Sequence, residues 1–271
     1  MVTLVGTIVG LLGLGLSLYT EFENVFAIAI LCVGAGLFTA TSLYSIRVRE
    51  KVLALQGSAR LLHEINHTYR DVLTKVCDRN PPVNTDERMT VERDTVQTVC
   101  QRISEIYTAL IARRCTVTVK VVEQDGTRWF CRTYARSESH SRRDQANLVR
   151  FALGTGENTA FDVATQPRPG GGISHFFAPD LRPLRKKKEY RNQRDDFEHY
   201  YRSEIVVPIR FLDYCNNPQA NSQWPIGFLS VDTLSVNYLN NGYHLEFLAA
   251  FADQMYNFFS LLRGKYRLPN L

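Results

Sequence analysis

Lysine and arginine are missing from the first 46 residues, although the chain of 271 carries 32 of them and a net charge of +5. No C-x-x-C pair occurs among the six cysteines, Cys32, Cys77, Cys100, Cys115, Cys131 and Cys215. Scattered single thiols imply neither a disulfide framework nor a thiolate zinc site, and they fit a reducing compartment. No basic residue precedes the first apolar run, as a secretory leader requires. A phosphate-cradling glycine loop, a nucleophile with its base and a metal-spaced cluster are lacking too, so a non-enzyme is expected. The mild positive charge suits an anionic surface better than a nucleic-acid groove, and no nucleic-acid partner is expected.

What fills the uncharged stretch is apolar. Residues 2–19 and 25–44 form two runs without Asp, Glu, Lys, Arg or His, separated by Thr20-Glu21-Phe22-Glu23-Asn24. A helix rises about 1.5 Å per residue, so roughly 20 such residues cross a hydrocarbon core of about 30 Å. The expectation is a membrane protein with a two-helix transmembrane hairpin over 1–46. The plainer alternative is a buried helical hairpin in a globular protein. Gly6 and Gly10, like Gly36 and Ala40, stand four apart, the spacing that lets helix backbones approach. Arg47, Arg49 and Lys51 follow the second run directly. That bias predicts a multi-pass protein of the inner (plasma) membrane, with the lipid bilayer as partner and both termini in the cytoplasm.

From Val48 the apolar positions step in threes and fours. With Val52 at heptad position a, Leu55 is d, Ala59 a, Leu62 d, Asn66 a and Tyr69 d. The pattern predicts a helical stalk over 47–77 that pairs as a coiled coil, Asn66 fixing the register of a homodimer or higher homo-oligomer. Oligomerisation is thus assigned to Leu55, Leu62, Asn66 and Tyr69, with Gly6 and Gly10 in the hairpin. An amphipathic helix lying on its own domain gives the same periodicity. Within this helix, His63-Glu64-Ile65-Asn66-His67 matches the H-E-x-x-H pattern of zinc peptidases, with two histidines on one helix face. No helical Glu or His cluster follows to supply a third ligand, so no metal is assigned. Leu62-His63-Glu64-Ile65 also resembles the phospho-accepting box of sensor histidine kinases, without an ATP-binding domain after it. Asp78-Arg79-Asn80-Pro81-Pro82 stops the helix, and 78–89 reads as a linker.

Residues 90–113 are helical by spacing, 116–122 alternate as a strand, Asp125-Gly126 marks a hairpin turn and 129–134 return. Strands at 204–209 and 227–232 flank a long loop over 213–225, and 243–262 close the chain as a helix. This order is an α+β plan. Ser203-Glu204-Ile205-Val206-Val207-Pro208-Ile209, Ile226-Gly227-Phe228-Leu229-Ser230-Val231-Asp232 and Phe247-Leu248-Ala249-Ala250-Phe251-Ala252-Asp253-Gln254 resemble the C-terminal half of a GAF domain. The resemblance covers about 90–263, within a sensory domain drawn at 90–271. It implies a six-stranded antiparallel sheet with helices on one face, a small-molecule cavity on the other, and frequent dimerisation through the first and last helices. The Asn-Lys-Phe-Asp-Glu signature of cyclic-nucleotide-binding members and a bilin-attachment cysteine are absent, so ligand and cofactor stay open.

Function is expected in the middle of the domain. There Asn158, Phe161, Asp180, Tyr201, Arg202 and Ser203 interleave polar groups with aromatics, the composition of an orienting pocket. Alternatively, Asn158 and Asp180 cap short helices and Arg202 pairs with a surface acid. Residues 182–194 carry seven basic residues against one acid, which suits lipid headgroups or an anionic small-molecule ligand. The leading expectation is a membrane-anchored cytoplasmic sensor signalling through its stalk. The rivals are a bacterial immune-type effector whose hairpins permeabilise the membrane, and an H-E-x-x-H zinc peptidase.

Overall fold

In the computed structural model, the described residues are 10, 13, 25–78, 85–138, 149–166, 174–210 and 225–266. They fall in two compact units, Met1–Gln56 and Gly57–Leu271. The first long helix, α1 (Val25–Asp78), runs unbroken for 54 residues. Among the described residues, no helix is long and apolar enough to cross a membrane. The apolar run 2–19 lies outside them apart from Gly10 and Gly13, as do Gly6 and the acidic connector. The membrane-protein class, the transmembrane hairpin, the bilayer partner and the inner-membrane location are therefore corrected. The membrane-permeabilising rival loses its basis with them.

The coiled-coil stalk is corrected as well. From Gly57 onward α1 belongs to the domain: Ser58, Ile65 and Tyr69 are buried, and Leu61, Leu62, Val72 and Leu73 pack partly against the same core. The Tyr69 ring lies 4.9 Å from that of Phe258. Those positions step by three and four, so one helix stripe covers its own domain. Leu55 and Asn66 are exposed.

The remaining elements are α2 (Thr85–Ile111), β1 (Thr116–Asp125), β2 (Arg128–Arg136), β3 (Phe151–Ala152), α3 (Thr159–Thr165), β4 (Phe176–Ala178), α4 (Leu181–Lys186), β5 (Ser203–Ile209), β6 (Gly227–Thr233) and α5 (Tyr243–Tyr266). The six strands form one sheet in the order β3-β2-β1-β6-β5-β4, antiparallel throughout. This is the α+β, six-stranded arrangement that the resemblance implied. Gly227 opens β6 opposite Val121, where any Cβ would overlap the backbone carbonyl oxygen of Lys120.

Successive strand residues point to opposite faces, and both faces of this sheet are buried. Val117, Val119 and Val121 of β1, Ile205, Val207 and Ile209 of β5, and Leu229 and Val231 of β6 join α2, α5 and the end of α1 in the main core. At the positions between them stand Thr116, Thr118, Lys120, Glu204, Ser230 and Asp232, all buried. A second apolar cluster covers this other face, built from Phe151, Phe161, Phe176, Tyr190, Phe197 and Tyr201 among others. The chain between β2 and β5 supplies it. The loop between β5 and β6 lies mostly outside the described residues.

Candidate functional site

The polar face of the sheet forms the floor of a cavity. Its register sets three rows across the strands. Thr133 of β2 stands opposite Lys120; Arg136 opposite Thr118, which stands opposite Ser230; and Asp232 opposite Glu204. One irregularity makes this set. Thr118 and Lys120 are two residues apart on β1, but their partners Arg136 and Thr133 are three apart on β2. This β-bulge inserts Tyr134 and turns Arg136 onto the cavity face, which regular alternation would not do. Tyr134 points the other way, its hydroxyl donating to Glu92 Oε1 of α2 at 2.8 Å in the main core.

The cavity opens to solvent at its mouth and is lined by these seven floor residues and by Val149, Phe151, Phe161, Asn192, Arg194, Phe197, Tyr200 and Tyr201. Charge of both signs is buried at its base: Lys120 and Arg136 are 9% and 7% exposed, Glu204 and Asp232 5% and 2%. Lys120 Nζ donates to Thr133 Oγ1 at 3.1 Å and sits 4.0 Å from the centre of the Phe151 ring, a cation–π contact that offsets part of its desolvation. Thr118 is 2% exposed, and its Oγ1 meets no hydrogen-bond partner among the described residues. An unsatisfied buried hydroxyl costs about 1–3 kcal/mol.

The roof is irregular chain tied by side chains. Asn192 Nδ2 donates to the hydroxyls of Tyr201 at 2.8 Å and Tyr190 at 3.1 Å, and Tyr190 in turn donates to Glu204 Oε2 at 3.4 Å. Burial raises the Tyr190 hydroxyl well above its ordinary pKa, so it stays protonated and remains a donor. Arg194 pairs with Asp196 at 3.0 Å and lies 5.0 Å over the Tyr200 ring, at the rim. Asn158 braces this roof: its Nδ2 donates to the Ala152 carbonyl at 2.9 Å and its Oδ1 accepts from Gln193 N at 3.2 Å.

Of the residues that sequence reasoning selected, the structure places Phe161 and Tyr201 on the cavity wall. Asn158 is the brace just described. Asp180 caps α4, accepting from Arg182 N at 3.0 Å; its paired guanidinium holds the carboxyl below the usual range. Ser203 donates to the Ala178 carbonyl at 3.1 Å, and Arg202 is exposed and does not line the cavity. Sequence reasoning missed Thr118, Lys120, Arg136, Ser230, Asp232 and Glu204. Part of the signal was there: Thr116, Thr118 and Lys120 in β1, and Ser230 and Asp232 in β6, alternate with core residues.

Burial pushes the thiols of Cys100, Cys115 and Cys131 up to about 12, so all three are held as neutral thiols. Among the described residues, no group of three or more His, Cys, Asp or Glu could hold a metal ion.

No protein-family model matches the sequence, and no curated protein matches it. Solved structures of similar fold are GAF domains and GAF-like reductases, and they extend over most of the chain. The GAF domain of a phosphoenolpyruvate-protein phosphotransferase from Coxiella burnetii is 13% identical, covering 75% of this chain and 97% of its own, with a TM-score of 0.43. The corresponding domain from Acinetobacter is 10% identical over 76% of this chain and 98% of its own, at 0.42. The type II free methionine-R-sulfoxide reductase of Thermoplasma acidophilum is 16% identical over 65% of this chain and 96% of its own, also at 0.42. Because enzymes stand among these structures, the expectation of a non-enzyme is withdrawn.

Proposed function

We propose that the Gly57–Leu271 unit is a sensory module that binds one small molecule carrying charges of both signs, a free amino acid or a derivative of one. The observation that carries this reading is the cavity floor. Lys120 and Arg136 stand there beside Glu204 and Asp232, around a Thr118 hydroxyl with no partner among the described residues. A purely anionic ligand would gain from the two cations and be repelled by the two carboxylates, and a purely cationic one the reverse. A zwitterion satisfies both, and its hydroxyl-facing oxygen or nitrogen repays the cost at Thr118. The wall of Phe151, Phe161, Phe197 and Tyr201 receives the apolar part of the same molecule.

Thermal unfolding of the full chain with millimolar 2-amino acids, beside the matching amines and carboxylic acids, tests the reading. Binding at a hundred times Kd stabilises by about 2.7 kcal/mol. One or more zwitterions are expected to raise Tm while their singly charged analogues do not, and Thr118→Val is expected to cut the shift to about half or less. No shift with any zwitterion, or equal shifts with the acids, would sink it.

A further inference from the structure

The H-E-x-x-H turn takes no part in the cavity. It lies in the part of α1 that packs on the domain through Ile65 and Tyr69, with His63 exposed and His67 half-buried. Here the two imidazoles converge. Nε2 of His67 stands 2.8 Å from Nε2 of His63, with the rings edge-on and their centroids 4.2 Å apart. Glu64 is turned away from the pair, bound to Arg60 at 3.2 Å and to Arg102 of α2 at 3.4 Å. It is therefore not placed as the general base of a peptidase. Arg70 reaches Nδ1 of His67 and also pairs with Asp71 at 3.3 Å.

We infer that His63 and His67 form a two-nitrogen chelating site for a divalent transition ion of square-planar or tetragonal preference, Ni(II) or Cu(II), over tetrahedral Zn(II). This spacing needs the least adjustment for one class of ion. Two nitrogens about 2.05 Å from one ion stand about 2.9 Å apart when bound at right angles and about 3.3 Å apart at the tetrahedral angle. The observed 2.8 Å matches the first. Imidazole suits these ions, and the remaining positions are filled by water. Without an ion, 2.8 Å is also the length of a hydrogen bond, so one proton holds the pair in place. On loading, the ion takes both Nε2 lone pairs and that proton moves to Nδ1 of the same ring or to solvent. Arg70 opposes loading. Its donation to Nδ1 of His67 needs the lone pair there and puts that ring's proton on Nε2, where the ion must bind.

Titration calorimetry of the tagless full chain with Ni(II) and with Zn(II) tests the site. The expected result is one Ni(II) per chain, bound more tightly than Zn(II). The affinity for Ni(II) should fall at least tenfold in His63→Ala and in His67→Ala, and rise severalfold in Arg70→Gln. Far-ultraviolet circular dichroism of the His63→Ala variant, whose side chain is exposed, should match the parent. Ni(II) affinity equal in the parent and His63→Ala, or Zn(II) binding as tight as Ni(II), overturns the inference.

Discussion

The two faces of the sheet share strands, hydrogen bonds and depth of burial, and differ in what they bury. Toward α2 and α5 the strands present valine, isoleucine and leucine; toward the chain between β2 and β5 they present threonine, serine, lysine, aspartate and glutamate beside Val206 and Phe228. Burying apolar area contributes about 25 cal/mol per Å², whereas burying charge costs free energy unless it is paired. The first face therefore stabilises the fold, and the second sets charged and polar groups around a cavity. Stability and recognition sit on opposite sides of one backbone, so substitutions should separate them.

The largest effect is expected on the apolar side. Leu229→Ala removes a fully buried side chain and should lower unfolding stability by about 2–5 kcal/mol, read from the denaturant midpoint, with ligand affinity of the folded protein unchanged. A binding loss parallel to the stability loss would show that the faces are not independent.

Acid should act on the same side. His244 opens α5 with no exposure; its Nδ1 accepts from Asn240 N at 2.9 Å, and burial lowers its pKa from 6.5 to about 4. The folded state thus holds this ring neutral where the unfolded chain protonates it. Its contribution is full above the unfolded value and is lost as pH falls from about 6.5 toward 4, a change on the order of 3 kcal/mol. His244→Gln should flatten that part of the stability–pH curve relative to the parent.

On the polar side the signs reverse. Thr118→Val replaces the unpartnered hydroxyl by a methyl of the same shape. It should leave stability unchanged within about 1 kcal/mol or raise it, while weakening the ligand at least tenfold in calorimetry. A large loss of stability would mean that the hydroxyl serves folding after all. The smallest effect is expected at the surface between α1 and α2. Arg102 pairs there with Glu105 at 3.0 Å and Glu64 at 3.4 Å, and Arg102→Ala should cost no more than about 0.5 kcal/mol in the same unfolding assay.

The elements themselves were legible. Alternation over 116–122, the Asp125-Gly126 turn and the short apolar strands gave β1, β2, β5 and β6 nearly to their ends, and period 3.6 gave α2 and α5. The cavity was not, because the polar positions of β1 and β6, with Glu204 in β5, read as the solvent side of a half-buried sheet. Only the return of the chain through Phe161, Phe197 and Tyr201 makes those polar positions interior. The bulge at Tyr134 has no sequence signature, so Arg136 could not be assigned to a face. Nor does a stripe such as Leu62, Ile65 and Tyr69 say whether its cover is a second copy or the same chain, since both present the same period.

The packing of Tyr69 on Phe258 bears on where the domain can be cut. A fragment begun at Thr85, the natural choice if the preceding helix were a separate rod, would discard Ile65 and Tyr69 and strip the cover from the α5 aromatics. Such a piece should clump or bind detergent. One begun at or before Gly57 retains those two side chains and is the shorter polypeptide to pursue.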